Sequence, residues 1–286
     1  MQTPPITRAL IFINIAVFLA QLGTDYMHID LTEAFALHFV LADNFHFWQP
    51  LTYMFMHGGW THLFFNMLSL WMFGIIIERT MGPVRFTWFY LLCGLGAALS
   101  QELWQTGQYF VEGLQNYEMV STPYGMMTMG KYLGLPGWTT VGASGACYGV
   151  LLAFGMFYPE ERIMMMIPPI PMKAKYFVAV YAVIEVVSAF FSNGSIAHFA
   201  HLGGMLVGFL IIKWWQGEPR RRQARWRRDL EKQKQAEGYR NMDYDYNAQQ
   251  RRNEERLDEL LDKVRRSGYD SLSDSEKREL FHISRR

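Results

Sequence analysis

Apolar runs of close to 20 residues recur along this chain with short polar interruptions, and this repetition limits its fold more than any other feature. A helix needs roughly 20 mostly apolar residues to cross the hydrocarbon layer, and it satisfies its own backbone hydrogen bonds while doing so. Six runs qualify: 7–23, 57–78, 84–104, 142–158, 174–192 and 197–215. No small-residue cleavage site follows the first, so it is expected to remain as a span. The expected fold is all-α, a polytopic membrane protein with six transmembrane helices and a cytoplasmic helical tail.

Charge divides the chain in the same place. Residues 1–216 hold 8 of the 27 Lys and Arg; residues 217–286 hold the other 19, with 15 of the 26 acidic residues. The expected organisation is a six-span body over 1–216, a basic juxtamembrane linker or helix over 217–252, and a small helical hairpin over 253–286. Arg79, Arg85, Arg162, Lys173, Lys175 and Lys213 flank one set of connections, whereas 24–56, 105–141 and 193–196 contain only Lys131. The positive-inside bias then places both termini in the cytoplasm, with a bacterial inner membrane as the expected location. Spans two, four and six run inward from the outer side.

Arg220, Arg221, Arg222, Arg225, Arg227 and Arg228 suit a stop signal, with contact to anionic membrane lipid as a second role. Interleaved acidic residues argue against nucleic acid. Leu257, Leu260, Leu261 and Val264 follow helical spacing, Gly268 breaks it, and Ser273 with Glu276 reads as a capping box. The aromatic stretch Phe45 to Trp48 suits the membrane interface or a small loop core. Loop 105–141 reads as an external cap, a substrate contact or a disordered insertion. Cys93 and Cys147 fall within spans and read as small packing residues. Nothing in the sequence sets the oligomeric state.

Three of the runs carry polar groups that membrane helices rarely hold without a function. Ser144 sits near the start of span four, His201 in the first turns of span six, and His62 with Asn66 near the outer end of span two. Spans running in one direction put these residues at one depth. Gly145 with Gly149, and Gly204 with Gly208, are spaced four apart, which lets two membrane helices approach closely. His201 lies three residues before Gly204, on the same face, so that packing brings its imidazole towards Ser144. A serine beside a base can attack a carbonyl, with His201 taking the Ser144 proton and returning it to the leaving amine. His62 and Asn66, one turn apart, can donate to a developing oxyanion together with the Ser144 N–H. Tyr148, one turn after Ser144, can pack against the His201 ring. No aspartate occurs in spans two, four or six, so a dyad is expected rather than a triad.

Each signal has a plainer reading. Gly-x-Ser-Gly is common packing chemistry, and His62, Asn66 or His201 can be polar links between helices. His57 reads as a structural hydrogen bond, and His198 as a rival base one turn outward of His201. Metal binding by the histidines lacks a carboxylate or Cys at suitable sequence spacing, so no metal and no organic cofactor are expected. Glu185, inside span five, reads as a protonated acid or a carboxylate bonded to a neighbouring helix; a proton-coupled transporter is the alternative that uses it. Glu78 with Arg79 reads as a local ion pair.

The stretches His57-Gly-Gly-Trp-Thr-His62-Leu-Phe-Phe-Asn66, Gly142-Ala-Ser144-Gly145-Ala-Cys-Tyr148 and Ala197-His198-Phe-Ala-His201-Leu-Gly-Gly204 leading to Gly208 resemble the rhomboid intramembrane serine proteases. The resemblance covers about residues 5–216. It implies Ser144 as nucleophile and His201 as base. It implies His62, Asn66 and backbone N–H groups as the oxyanion hole, with Tyr148 and Gly142 in support, and transmembrane protein substrates cut near the outer face. A non-catalytic member that binds membrane helices is the rival within the family.

Overall fold

The computed structural model describes residues 3–164, 171–191 and 198–283, except for the side chains of 218–231 and 233–245. Ala197, the 193–196 connection and the side chains of the Arg220–Arg228 cluster lie outside the described residues. Two compact units form, Met1–Trp215 and Gln216–Arg286.

In the first unit, α1 (Pro5–Tyr26) opens with proline, whose fixed φ suits the first helical position. The free N–H groups of its first turn are met by Glu78. The carboxylate accepts from Ile6 N (3.0 Å), Thr7 N (2.7 Å) and the Thr7 hydroxyl (2.7 Å). Glu78 is 2% exposed. Beyond the local pair expected of it, this carboxylate caps the first helix, where the helix dipole favours a negative charge.

A short α2 (Leu31–Phe35), capped by Asp30, leads into β1 (Leu37–His38) and α3 (Gln49–Thr52). The second apolar run folds as α4 (Trp60–Ser69), a π-helical turn Leu70–Gly74, and α5 (Ile75–Met81). Gly82 then allows α6 (Pro83–Val111) to start, and this helix passes well beyond the expected end at residue 104.

The 105–141 stretch is ordered. Strands β2 (Met119–Thr122) and β3 (Gly125–Thr128) form a hairpin, α7 (Met129–Leu133) follows, and β4 (Thr139–Thr140) pairs antiparallel with β1. Phe39, Ala42, Met129, Leu133 and Trp138 make a small separate core beneath these pieces. Two loops that each lack enough apolar area join to bury it together, which removes the disordered reading.

Ser144 opens the next helix, α8 (Ser144–Phe157). A hairpin of β5 (Arg162–Met164) and β6 (Pro171–Lys173) leads to α9 (Ala174–Phe191). Beside it Glu160 pairs with Lys173 (2.7 Å) and Lys175, and the two ammonium groups, Lys173 foremost, hold its carboxyl down at about 2.

The last described apolar run begins α10 (His198–Ser267), whose later turns belong to the second unit. There Gly268 adopts φ 82° and α11 (Asp274–Ile283) returns. Ser273 and Glu276 exchange hydrogen bonds across the α11 N-terminus, and Arg256 and Lys263 pair with Glu279 and Glu276.

Among the described residues, three stretches are long and apolar enough to cross a membrane: Pro5–Tyr26, Trp60–Met81 and Ala174–Phe191. The core between the helices is built from Phe18, Leu70, Ile77, Phe89, Cys93, Val150 and Ile212. Phe12, Trp71, Leu99, Val183, Phe190 and Leu206 instead point outward and are more than half exposed. Apolar side chains distributed in this way match lipid rather than water as the outer solvent.

Candidate active site

Helix α8 begins at Ser144 itself, with Ala143 as its cap residue. Its first N–H groups therefore have no partner within the helix. Helix α10 meets α8 through glycines. A methyl group at Gly204 would lie 2.0 Å from the Gly145 carbonyl oxygen, and one at Gly149 would lie 3.1 Å from the Gly204 oxygen and 2.5 Å from Cys93 Sγ. A methyl at Gly208 would touch the Gly149 Cα at 3.4 Å. Backbone-to-backbone contact of this kind is open only to glycine. It brings His201, one turn before Gly204, onto Ser144: His201 Nε2 lies 2.8 Å from Ser144 Oγ.

The His201 ring is held on two further sides. Tyr148 stacks on it, with centroids 4.3 Å apart and planes 13° from parallel. Its Nδ1 lies 3.0 Å from Glu185 Oε2, at ion-pair distance but off the hydrogen-bond axis. The Tyr148 hydroxyl donates to Glu185 Oε1, and His198 Nδ1 lies 2.6 Å from Oε2. A carboxylate thus does reach the site, from α9. This corrects the expectation that metal binding by the histidines lacks a suitably placed carboxylate. Glu185 is bonded to neighbouring helices, as its plainer reading held, and one of the groups it joins, His201, is the partner of Ser144. His198 Nδ1 meets Glu185, whereas the imidazole that meets Ser144 Oγ is that of His201. The signal was the carboxyl in an otherwise apolar run, a costly placement that calls for a partner, and the sequence did not say which. Glu185, His198 and His201 each bring a ligand atom within 4.8 Å of the others, a set able to take a divalent cation.

His62 approaches from α4. The Gly58 N–H donates to its Nδ1 at 3.3 Å, so a neutral ring carries its proton on Nε2. Gly142 has φ 125°, a backbone conformation that favours glycine. A methyl group there would lie 2.7 Å from His62 Nε2 and 3.7 Å from Ser144 Oγ. The space above Gly142 is thus flanked by an imidazole donor and the serine hydroxyl. The Gly142 N–H is itself taken by the Tyr53 carbonyl (2.9 Å), so this residue supports the site by leaving room and not by donating.

Asn66 is buried, and its Nδ2 donates to the His62 carbonyl at 3.0 Å; in this arrangement it braces its own helix. His57 is also structural: its N–H and C=O pair with the Gln21 side chain at 3.0 and 3.3 Å. Cys93 and Cys147 are buried free thiols.

The Rhomboid domain matches residues 44–215, and a family of unknown function (DUF6576) matches residues 240–286. The chain is 29% identical over 213 residues to Rhomboid protease AarA of Providencia stuartii, covering 72% of this chain and 70% of that protein. It is 27% identical over 170 residues to the putative rhomboid protease YdcA of Bacillus subtilis, covering 59% of this chain and 67% of that one. A shorter stretch of 59 residues is 39% identical to Inactive RHOMBOID-like protein 8 of Arabidopsis thaliana, covering 21% and 17%. Against RHOMBOID-like protein 1 of the same plant, the chain spans a third of the relative's length.

Proposed function

The chain belongs to the rhomboid family and is an integral membrane protein, and on that premise we propose that it is an intramembrane serine endopeptidase. The observation that carries this reading is the 2.8 Å contact between His201 Nε2 and Ser144 Oγ under the stacked Tyr148 ring. Ser144 Oγ attacks the scissile carbonyl while its proton passes to His201 Nε2, and the carbonyl π pair moves onto oxygen. That oxyanion occupies the space above Gly142, within reach of the His62 Nε2–H and the first N–H groups of α8. The proton then goes from His201 to the departing amine as the C–N bond breaks, leaving an acyl group on Ser144. Water, deprotonated by the same imidazole, releases it.

The substrates of this reading are transmembrane proteins presented from lipid, cut near the outer face. In this reading the membrane is a bacterial inner membrane, and the basic flanks favour a cytoplasmic side for both termini, the tail from residue 217 included. A second reading, a non-catalytic protein that binds membrane helices, is kept by the inactive Arabidopsis relative; retention of both Ser144 and His201 at bonding distance speaks against it.

The test uses the purified full chain in lipid vesicles with a fluorogenic transmembrane peptide. Cleavage by the wild type that disappears in Ser144→Ala and in His201→Ala is the expected result. Absence of cleavage across several peptides, from a folded preparation, moves the assignment to the helix-binding reading.

A further inference from the structure

Glu185 is the one acid inside the fifth apolar run, Ala174–Phe191, and its side chain is 6% exposed. Removing a carboxylate from water is expensive unless its oxygens are occupied. Here they are: Tyr148 Oη on Oε1, and His198 Nδ1 (2.6 Å) and His201 Nδ1 (3.0 Å) on Oε2. Of these three partners, His201 meets the Ser144 hydroxyl and Tyr148 stacks on His201. Tyr148 has a double attachment, its ring stacked on His201 and its hydroxyl on Glu185.

We propose that Glu185 is a positioning residue, the third member of a Ser144–His201–Glu185 relay whose carboxylate is supplied by α9; this rests on the protease reading above. A neutral imidazole has one N–H and one lone pair, and the serine needs the lone pair on Nε2. A carboxylate beside Nδ1 keeps the proton there and leaves Nε2 as acceptor for Ser144 Oγ–H. When His201 takes the serine proton, both ring nitrogens carry hydrogen and the ring is cationic. Glu185 stays ionised and offsets that charge; no proton moves to it, and the proton on Nε2 leaves with the amine. The Nδ1 contact is off-axis in the resting site, and such contacts tighten as charge develops on the ring. His198 and the Tyr148 hydroxyl fix the carboxylate so that it cannot swing away.

Glu185→Gln separates this role from a tie between helices, because the amide keeps the shape and an acceptor oxygen but loses the charge. The full-length protein in vesicles is assayed for kcat and KM on a transmembrane peptide, for the rate of fluorophosphonate labelling, and for its unfolding midpoint. The expected result is a fall in kcat and in labelling rate of about 10,000-fold with KM and midpoint unchanged, by analogy with loss of the acid in serine triads. Glu185→Asp, which restores the charge at a shorter reach, is expected to recover part of kcat. Wild-type kcat in a folded Glu185→Gln overturns the relay and leaves the protease reading standing. If Glu185→Gln does not fold, Glu185→Asp decides: lowered kcat at unchanged KM and midpoint supports the relay. An unchanged kcat, or one that falls only with the midpoint, overturns it. A wild type that neither cleaves nor labels overturns both.

Discussion

Gly204→Ala tests the glycine contact that sets the geometry of the site. The added methyl would stand 2.0 Å from the Gly145 oxygen, 2.7 Å from its carbonyl carbon and 3.3 Å from its Cα. Ordinary non-bonded contacts lie near 3.5 Å, so α10 must retreat from α8 by roughly 1 to 1.5 Å. Both neighbours are backbone, and no side chain can rotate to relieve the clash. His201 precedes Gly204 by one turn and Ser144 precedes Gly145, so the retreat is passed almost whole to the 2.8 Å contact. At about 4 Å the hydrogen bond is lost. A displacement of that size costs about 100-fold in rate, or about 2.7 kcal/mol of transition-state stabilisation. Overpacking should also lower stability by about 1 to 3 kcal/mol. The assay is peptide cleavage in vesicles beside a thermal unfolding scan. Gly107→Ala in α6 serves as control, because a methyl there meets nothing within 4 Å. A Gly204→Ala protein with wild-type kcat would refute the claim that glycine contact sets the Ser144–His201 distance.

Three further perturbations follow from the same contacts. Gly142→Ala would put a methyl 2.6 Å from His62 Cε1 at a φ of 125°, so kcat should fall about 10- to 100-fold with Ser144 labelling impaired alongside; unchanged cleavage removes the space above Gly142 as the oxyanion site. Glu78→Ala should cost about 3 kcal/mol, because two N–H groups and a hydroxyl of α1 lose their acceptor; a chemical-denaturation midpoint equal to wild type contradicts the capping role. Burial holds the His38 imidazole below its ordinary value of 6.5. The unfolded chain therefore binds that proton more readily, and the stability of the β1–β4 ladder, present above 6.5, is lost as pH falls below it. The protection factor at Leu37–Phe39, observed exchange divided into the intrinsic rate at each pH, should fall below that pH in the wild type, and equal protection on both sides contradicts it.

Much of the helical layout could be read from the chain because lipid imposes one length and one backbone solution, so apolar runs mark helices directly. Their ends were less visible: α6 runs to Val111 because its last turns pack with the outer cap, a tertiary contact that no hydropathy window contains. The approach of Ser144 to His201 was legible since Gly145, Gly149, Gly204 and Gly208 state in advance which helix faces can touch. Glu185 was visible as an anomaly but not as a partner. Its contacts come from Tyr148, 37 residues away, and His198, 13 residues away, and no periodicity links three different helices. The capping role of Glu78 was hidden for the same reason. A local Glu-Arg pair is apparent in sequence, while a cap on a helix 71 residues earlier is not.

The most direct test of the account is covalent trapping of the nucleophile. A fluorophosphonate bonds phosphorus to an activated serine oxygen with loss of fluoride, and peptide mapping locates the adduct. The account predicts a single adduct on Ser144 of the vesicle-embedded protein, formed only while His201 is intact and absent from a folded His201→Ala variant. Labelling of Ser144 that proceeds at the same rate without His201 would contradict it.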